Sequence, residues 1–259
     1  MQKRKRANQK LRKLVSKSKP KTSRKPYLSR FTGSNRTSEI KTQDMNFTNI
    51  GLYLVDQLDP RALMINSTGV QQNIAAIQQG TSISQRVGNK ILLKSVRIRL
   101  ALVETLQAGS ANNTSQPYRV MLVYDRQPTG IYRPVNNILS GIRQDGLQQN
   151  GTYSSNIDPN SLDRYVVLMD ELKMTPTYNI AGITNVAVKQ NGATDHREFV
   201  VDRYINLKNL ETVFNTSTSP MVIANMQTGS LLLIVLGTTA SGSEPYALQG
   251  TVRLRFYDP

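Results

Sequence analysis

Eight runs of β-branched, aromatic and long aliphatic residues recur along the chain, separated by clusters of Gly, Pro, Asn and Ser. They are NIGLYLVD (49–56), KILLKSVRIRLALVE (90–104), YRVMLVYD (118–125), DRYVVLMDELKM (163–174), HREFVVDRYINL (196–207), ETVF (211–214), SLLLIVLGT (230–238) and QGTVRLRFYD (249–258). Short alternating runs with such borders read as strands. Helical pattern is confined to two short stretches. VQQNIAAIQQ (70–79) places Val70, Ile74 and Ile77 on one helical face before Gly80, and RPVNNILSGI (133–142) has Pro134 at a helix start and Gly141 near its end. Connections at about 105–117 and 175–195 are long and rich in Gly, Asn, Thr and Ala. Eight strands, long loops and two short helices predict an all-β chain: a two-sheet sandwich or jelly roll. The apolar run LLLIVLG (231–237) is far below the roughly 20 residues that span a bilayer. It reads as a buried strand, and no membrane insertion is expected.

Charge divides the chain unevenly. Residues 1–36 hold 14 Lys and Arg and no Asp or Glu, whereas the whole chain has 33 basic and 17 acidic residues. The remaining 37–259 therefore carry 19 basic against 17 acidic residues, close to neutral. Like charge in a block resists compaction. The first 36 residues also contain only eight apolar side chains, too few to offset the entropy of ordering them. The expected organisation is a disordered basic arm, 1–36, followed by one body, 37–259.

Such an arm implies a polyanionic partner. Lys3, Arg4, Lys5, Arg6, Lys10 and Arg12 open it, and Lys13, Lys17, Lys19, Lys21, Arg24 and Lys25 continue it. Neutralising phosphates with these groups releases condensed counterions and binds nucleic acid without reading its sequence. No helix-turn-helix, zinc finger or aromatic RNP strand is present to read bases. Leu11, Leu14 and Val15 fall at helical spacing, compatible with a short helix once phosphates quench the charge. Lys3 to Arg6 also fit a nuclear localisation signal. A membrane-surface tether is disfavoured, because no sustained amphipathic face or lipidation motif accompanies the charge.

The strands offer a second basic surface. In SVRIRLA, Val96, Ile98 and Leu100 alternate with Arg97 and Arg99; in TVRLRFY, Val252, Leu254 and Phe256 alternate with Arg253 and Arg255. Each strand then turns arginines away from the core. A solvated sheet face is the plainer reading, and a nucleic-acid surface continuing the arm is the functional one.

Catalytic patterns are scarce. The chain has no Cys, so disulfides and thiolate metal sites are excluded. No P-loop, G-x-S-x-G or H-E-x-x-H occurs. The single histidine, His196, lies beside Asp195, which points to the other side of a strand. The carboxylates of Asp170 and Glu171 diverge for the same reason, so paired-carboxylate chemistry is not expected. Asp158 and Asp163 could meet at a subunit contact and hold Ca²⁺, although solvated loop charges are the plainer account. No cofactor, metal or enzymatic activity is expected. No apolar h-region marks a signal peptide, so the N-x-S/T triplets at 46–48 and 150–152 are not expected to carry glycans.

Four stretches carry a family resemblance. They are QQGTSISQRVGNKILLKSVRIRL (78–100), YRVMLVYDRQPTG (118–130), DRYVVLMDELKMT (163–175), and the closing TGSLLLIVLGT with TVRLRFYD. Their order after a basic arm resembles the capsid proteins of small circular single-stranded DNA viruses that encode a replication initiator. It is also similar to the satellite tobacco necrosis virus type of capsid. The arm mixes Lys and Arg, where circovirus coats are nearly pure Arg. The resemblance implies one jelly roll of eight strands B to I in two four-stranded antiparallel sheets, matched in chain order by the eight runs. It further implies a homo-oligomeric icosahedral shell, often of 60 copies (T=1), with the arm inside and DNA favoured over RNA as cargo.

The expected function is therefore a coat protein that self-assembles and packages single-stranded nucleic acid, found in the virion and in the host nucleus during assembly. The partners are further copies of the chain and the genome; no host receptor is identifiable. The rival readings are a movement protein or nucleoprotein that binds nucleic acid without forming a shell, and a β-sandwich hydrolase with a targeting arm.

Overall fold

The computed structural model describes residues 39–47, 63–104, 115–141, 151–175, 199–215, 222–240 and 246–259. The arm, the run 49–56, most of both long connections, and His196 lie outside the described residues.

Ten strands are described: β1 (Glu39–Phe47), β2 (Leu63–Met64), β3 (Val70–Asn73), β4 (Lys90–Glu104), β5 (Pro117–Asp125), β6 (Tyr165–Met174), β7 (Phe199–Phe214), β8 (Met226–Thr228), β9 (Ser230–Leu236) and β10 (Tyr246–Asp258). One sheet runs β1-β10-β4-β7-β8, with β2 paired to β10, and the other runs β3-β9-β5-β6. All pairings are antiparallel. With the eight longer strands lettered B to I, the sheets read B-I-D-G and C-H-E-F, the strand order that defines a jelly roll. The short strands β2 and β8 lengthen the first sheet beyond the four strands expected.

The eight expected runs do not match the eight lettered strands one for one. Strand B, β1, was not among them, because its core-facing positions are Lys41, Gln43, Met45 and Phe47, half of them polar. Strand C, β3, lies in the expected helix 70–79. There Ile74 N–H donates to the Leu231 carbonyl at 2.8 Å, and Gln71 Nε2 donates to the Arg133 carbonyl at 2.6 Å. Pairing with the apolar β9 overrides the weak helical period. FVVDRYINL, the described part of the run 196–207, and ETVF belong to one 16-residue strand, β7. A bulge divides them: Lys208 and Asn209 take φ of 52° and 60°, and the register with β4 shifts there. Of the expected helix 133–142, the described residues 133–141 form only one 3-10 turn, Val135–Asn137.

Two apolar cores hold the body. Between the sheets, Val96, Ile98 and Leu100 of β4 meet Val252, Leu254 and Phe256 of β10 and the inward residues Val120, Leu122, Leu231 and Leu233. The second core covers the other side of C-H-E-F, where Val135, Ile138, Leu139 and Ile223 pack on Met121, Val123, Leu232 and Ile234. Strand β9 is buried at every position, which explains its continuous apolar run.

Charged residues from the shared stretches fasten these layers. Arg86, in RVGNKI, is 2% exposed. It donates to the Ile77 and Gly88 carbonyls at 3.1 and 2.5 Å, and its guanidinium lies 4.2 Å from the Phe214 ring centre. Asp125, which opens DRQPTG, receives Arg164 of DRY in two bonds of 2.8 and 2.7 Å. Arg119 clasps Asp170 at 2.7 and 2.6 Å and donates to the carbonyls of Tyr153 and Ser155. These planar, bidentate contacts suit arginine where lysine would lose one arm of the fork.

Candidate nucleic-acid interface

The outward face of the B-I-D-G sheet follows from register. The four core residues Val96, Ile98, Val252 and Leu254 are at most 1% exposed, so period-two alternation turns Arg97, Arg99, Arg253 and Arg255 to the opposite, exposed side. Pairing then sets them side by side. Across the sheet Asp44 stands beside Arg253, Arg253 beside Arg97, and Arg97 beside Tyr204. The next row is Asn46, Thr251, Arg99 and Asp202, and on the other side lie Thr42, Arg255, Ser95 and Asn206. Most of these residues line a concavity of about 500 Å³.

Gly250 sits at the edge of this face with φ of 149°. A methyl group there would run into the Arg99 carbonyl oxygen, so β10 approaches β4 as closely as it does only with glycine.

Two carboxylates hold the arginines in place. Asp44 accepts two bonds from Arg253, both 2.7 Å. Asp202 lies 2.7 Å from Arg97 and 3.8 Å from Arg99. The Arg253 hydrogen bonds hold the Asp44 carboxyl below its ordinary value despite a smaller opposing effect of burial, and Asp44 in turn raises Arg253. Among the described residues no acid pairs with Arg255. Four arginines and one aspartate, Asp44, line the concavity; with Asp202, which pairs with Arg97 from outside the lining, the cluster keeps a surplus of two positive charges.

All four strand arginines singled out by alternation are therefore brought together. The 14 arm lysines and arginines, the twelve singled out among them, lie outside the described residues. Alternation alone did not single out Asp44, Asp202 or Tyr204, because their membership depends on which strands pair. Tyr204 alternates with Arg203 and Ile205 in DRYINL, and that was its only local signal.

Contacts engage three of the other candidate acids, Asp170, Glu171 and Asp158. Asp170 and Glu171 do diverge: Asp170 pairs with Arg119, while Glu171 pairs with Arg203 of β7 and lies 3.0 Å from Lys173. Asp158 caps the 3-10 turn Pro159–Ser161 by accepting from Asn160 N–H. Among the described residues no cluster of His, Cys, Asp or Glu could hold a metal ion, and no helix is long and apolar enough to cross a membrane.

The jelly roll is one of the folds of virus coats, the class that the four stretches resemble. The chain belongs to the geminivirus coat protein/nuclear export factor BR1 family, whose model matches residues 1–259. Geminiviruses are small circular single-stranded DNA viruses, and coat proteins are structural components of the virion. No curated protein matches the chain. Among solved structures it is similar to Desmodium yellow mottle tymovirus, at 13% identity and TM-score 0.26, covering 84% of this chain and 86% of that one. It is also similar to VP1 of trichodysplasia spinulosa-associated polyomavirus, solved with sialylated glycooligomers, at 9% identity and TM-score 0.25, covering 86% and 95%. A third is the Merkel cell polyomavirus virus-like particle, at 9% identity and TM-score 0.21, covering 87% and 67%.

Proposed function

We propose that the chain self-assembles into a small icosahedral shell, T=1 with 60 copies, and packages single-stranded DNA through its basic arm. The observation that carries this reading is the coat-family match over the whole chain, including the arm. The jelly roll supplies a wall unit whose sheets, among the described residues, end at β1 and β8 and at β3 and β6. Sheet edges require covering, and neighbouring copies repeated by symmetry do this.

The division of charge supports an inward arm. Sixty arms of 14 positive charges each amount to about 840, enough to neutralise roughly 800 nucleotides at one phosphate apiece. A near-neutral body keeps the exterior from adhering to other polyanions. The Arg97, Arg99, Arg253 and Arg255 face is the part of the body that lines the lumen in this reading, and Lys3 to Arg6 direct the chain to the nucleus.

The family description also names a nuclear export factor, which favours one second reading: a nucleic-acid carrier that forms no shell. Expression of the full chain without other viral proteins separates the two. Sedimentation as one megadalton-scale species, with spherical particles by electron microscopy and protected nucleic acid, is the expected result. Monomers or filaments at high concentration in low salt, with single-stranded DNA supplied, would overturn the coat reading and leave the carrier.

A further inference from the structure

The arginines of the B-I-D-G face stand in an arrangement that is unfavourable when empty. Arg97 and Arg253 are direct cross-strand partners, and like charges so placed repel. Arg99 and Arg255 flank them two residues along each strand. All four arginines and Asp44 line a concavity of about 500 Å³, and Asp202, outside the lining, pairs with Arg97, so the cluster as a whole keeps a surplus of two positive charges. Tyr204 stands beside Arg97 with its side chain outward, 60% exposed. Asn46, Ser95 and Thr251 add polar groups to the lining. A merely solvated sheet face requires neither the clustering of like charge nor an exposed ring within it.

We infer that this basin is a single-stranded nucleic-acid subsite that takes two successive phosphodiesters on its arginines and stacks one base on Tyr204. The proposal deepens the packaging reading and rests on it for the identity of the polyanion. The surplus of two charges matches two phosphates. Guanidinium groups present forked donors that fit phosphate oxygens. An aromatic ring beside a cation gives a base a stacking surface, which is sequence-tolerant because every base has a π-face. Only an unpaired base can reach it, so the site selects single strands over duplex. Asp44 and Asp202 keep the empty guanidinium planes oriented and moderate the affinity. An acidic segment of a second copy would satisfy the charge but gives no role to the ring.

The full-length chain is tested with an eight-nucleotide oligothymidylate carrying 4-thiothymidine, photocrosslinked and mapped by mass spectrometry, and with the unmodified oligonucleotide across a salt series. A crosslink at Tyr204 is expected. Arg253→Gln with Arg255→Gln should lower the slope of log affinity against log salt by about 1.4, at roughly 0.7 per lost phosphate contact. Tyr204→Ala should weaken binding about tenfold at fixed salt while Tyr204→Phe retains it. Asp44→Asn with Asp202→Asn should tighten binding, the opposite of what purely structural ion pairs would give. Crosslinks confined to residues 1–36, with all four variants binding as wild type, would overturn the proposal. So would loss of shells in the Arg253→Gln, Arg255→Gln variant with unchanged oligonucleotide binding, which would assign the basin to a second copy. Electron microscopy of the same samples keeps the two readings apart. Shells without the Tyr204 crosslink sink the subsite alone, and the crosslink without shells sinks the coat reading alone.

Discussion

The Lys41 ammonium lies 2.9 Å from the Asp258 carboxylate, with side chains 3% and 5% exposed. This pair joins the outer strand β1 to the far end of β10, and it holds the connection before β4 as well. Lys41 also donates to the Gln85 carbonyl at 2.9 Å, and Asp258 accepts from Val87 N–H at 2.7 Å. A lysine thus occupies a core-facing position of β1, closing one end of the sandwich with two of its donors committed to Asp258 and the Gln85 carbonyl.

Removing one partner should be costly. Lys41→Met leaves the Asp258 charge buried without its counter-ion, a loss of about 3–5 kcal/mol for pairs of this kind. Denaturant unfolding of the variant measures it. Lys41→Met with Asp258→Leu should recover part of the loss, because the orphaned charge is gone. A single variant as stable as wild type would show that the pair is not a structural tie.

Acid should loosen the seam between β6 and β7. Burial pushes the Glu171 carboxyl up, but hydrogen bonds from Lys173 and Arg203 more than offset this, and its folded value lies below the ordinary 4.5. A depressed folded value stabilises above the unfolded pKa, and the contribution is lost as pH falls through the folded value. Melting temperature should therefore decline below about pH 4.5, the ordinary value for this group. The decline should be shallower in Glu171→Gln, which starts lower at pH 7. Identical pH profiles for the two proteins would contradict this role for Glu171.

Alkali tests the inner face of β5. Burial, followed by the nearby Glu171, pushes the Tyr118 phenol up to about 12. Burial, with Glu211 next, does the same for Tyr124, also to about 12. A raised folded value means stability is fully present below the unfolded value near 10 and is lost as pH rises toward 12. Ultraviolet titration should show these two phenols ionising late and together with unfolding. Tyr118→Phe should remove one late step. Early ionisation of all 11 tyrosines with the fold intact would refute the burial.

Packaging should depend on the arm's charge and not on its order. Scrambling residues 1–36 while keeping their 14 Lys and Arg preserves phosphate neutralisation, so shells should retain most of their nucleic acid by absorbance ratio. Replacing half of those residues with Gln should lower the content and flatten its salt dependence. Failure of the scrambled arm in otherwise intact shells would point to recognition through Leu11, Leu14 and Val15.

Local pattern was informative wherever burial and polarity agreed. Strands β4, β5, β6, β9 and β10 lie within a few residues of the runs read from alternation, and KILLKSVRIRLALVE coincides with β4. Strands β1 and β3 were illegible because core-facing Lys41 and Gln43, and the glutamines of β3, are polar residues placed by distant partners. The break seen between Leu207 and Glu211 was real as a bulge but not as a strand end, since hydrogen bonding resumes on its far side.

The sequence by itself determined which way each arginine faces. Facing is a local property with a period of two residues, fixed once burial chooses one side of the strand. It also determined the separation of a basic arm from a near-neutral body. Only the tertiary structure decided that Arg97 meets Arg253, that Asp44 and Asp202 come to brace them, and that Tyr204 stands at their side. Pairing between strands far apart in the chain depends on loop closure and on burial of both inner faces at once. No local run of residues encodes that choice, and the basin exists only after it is made.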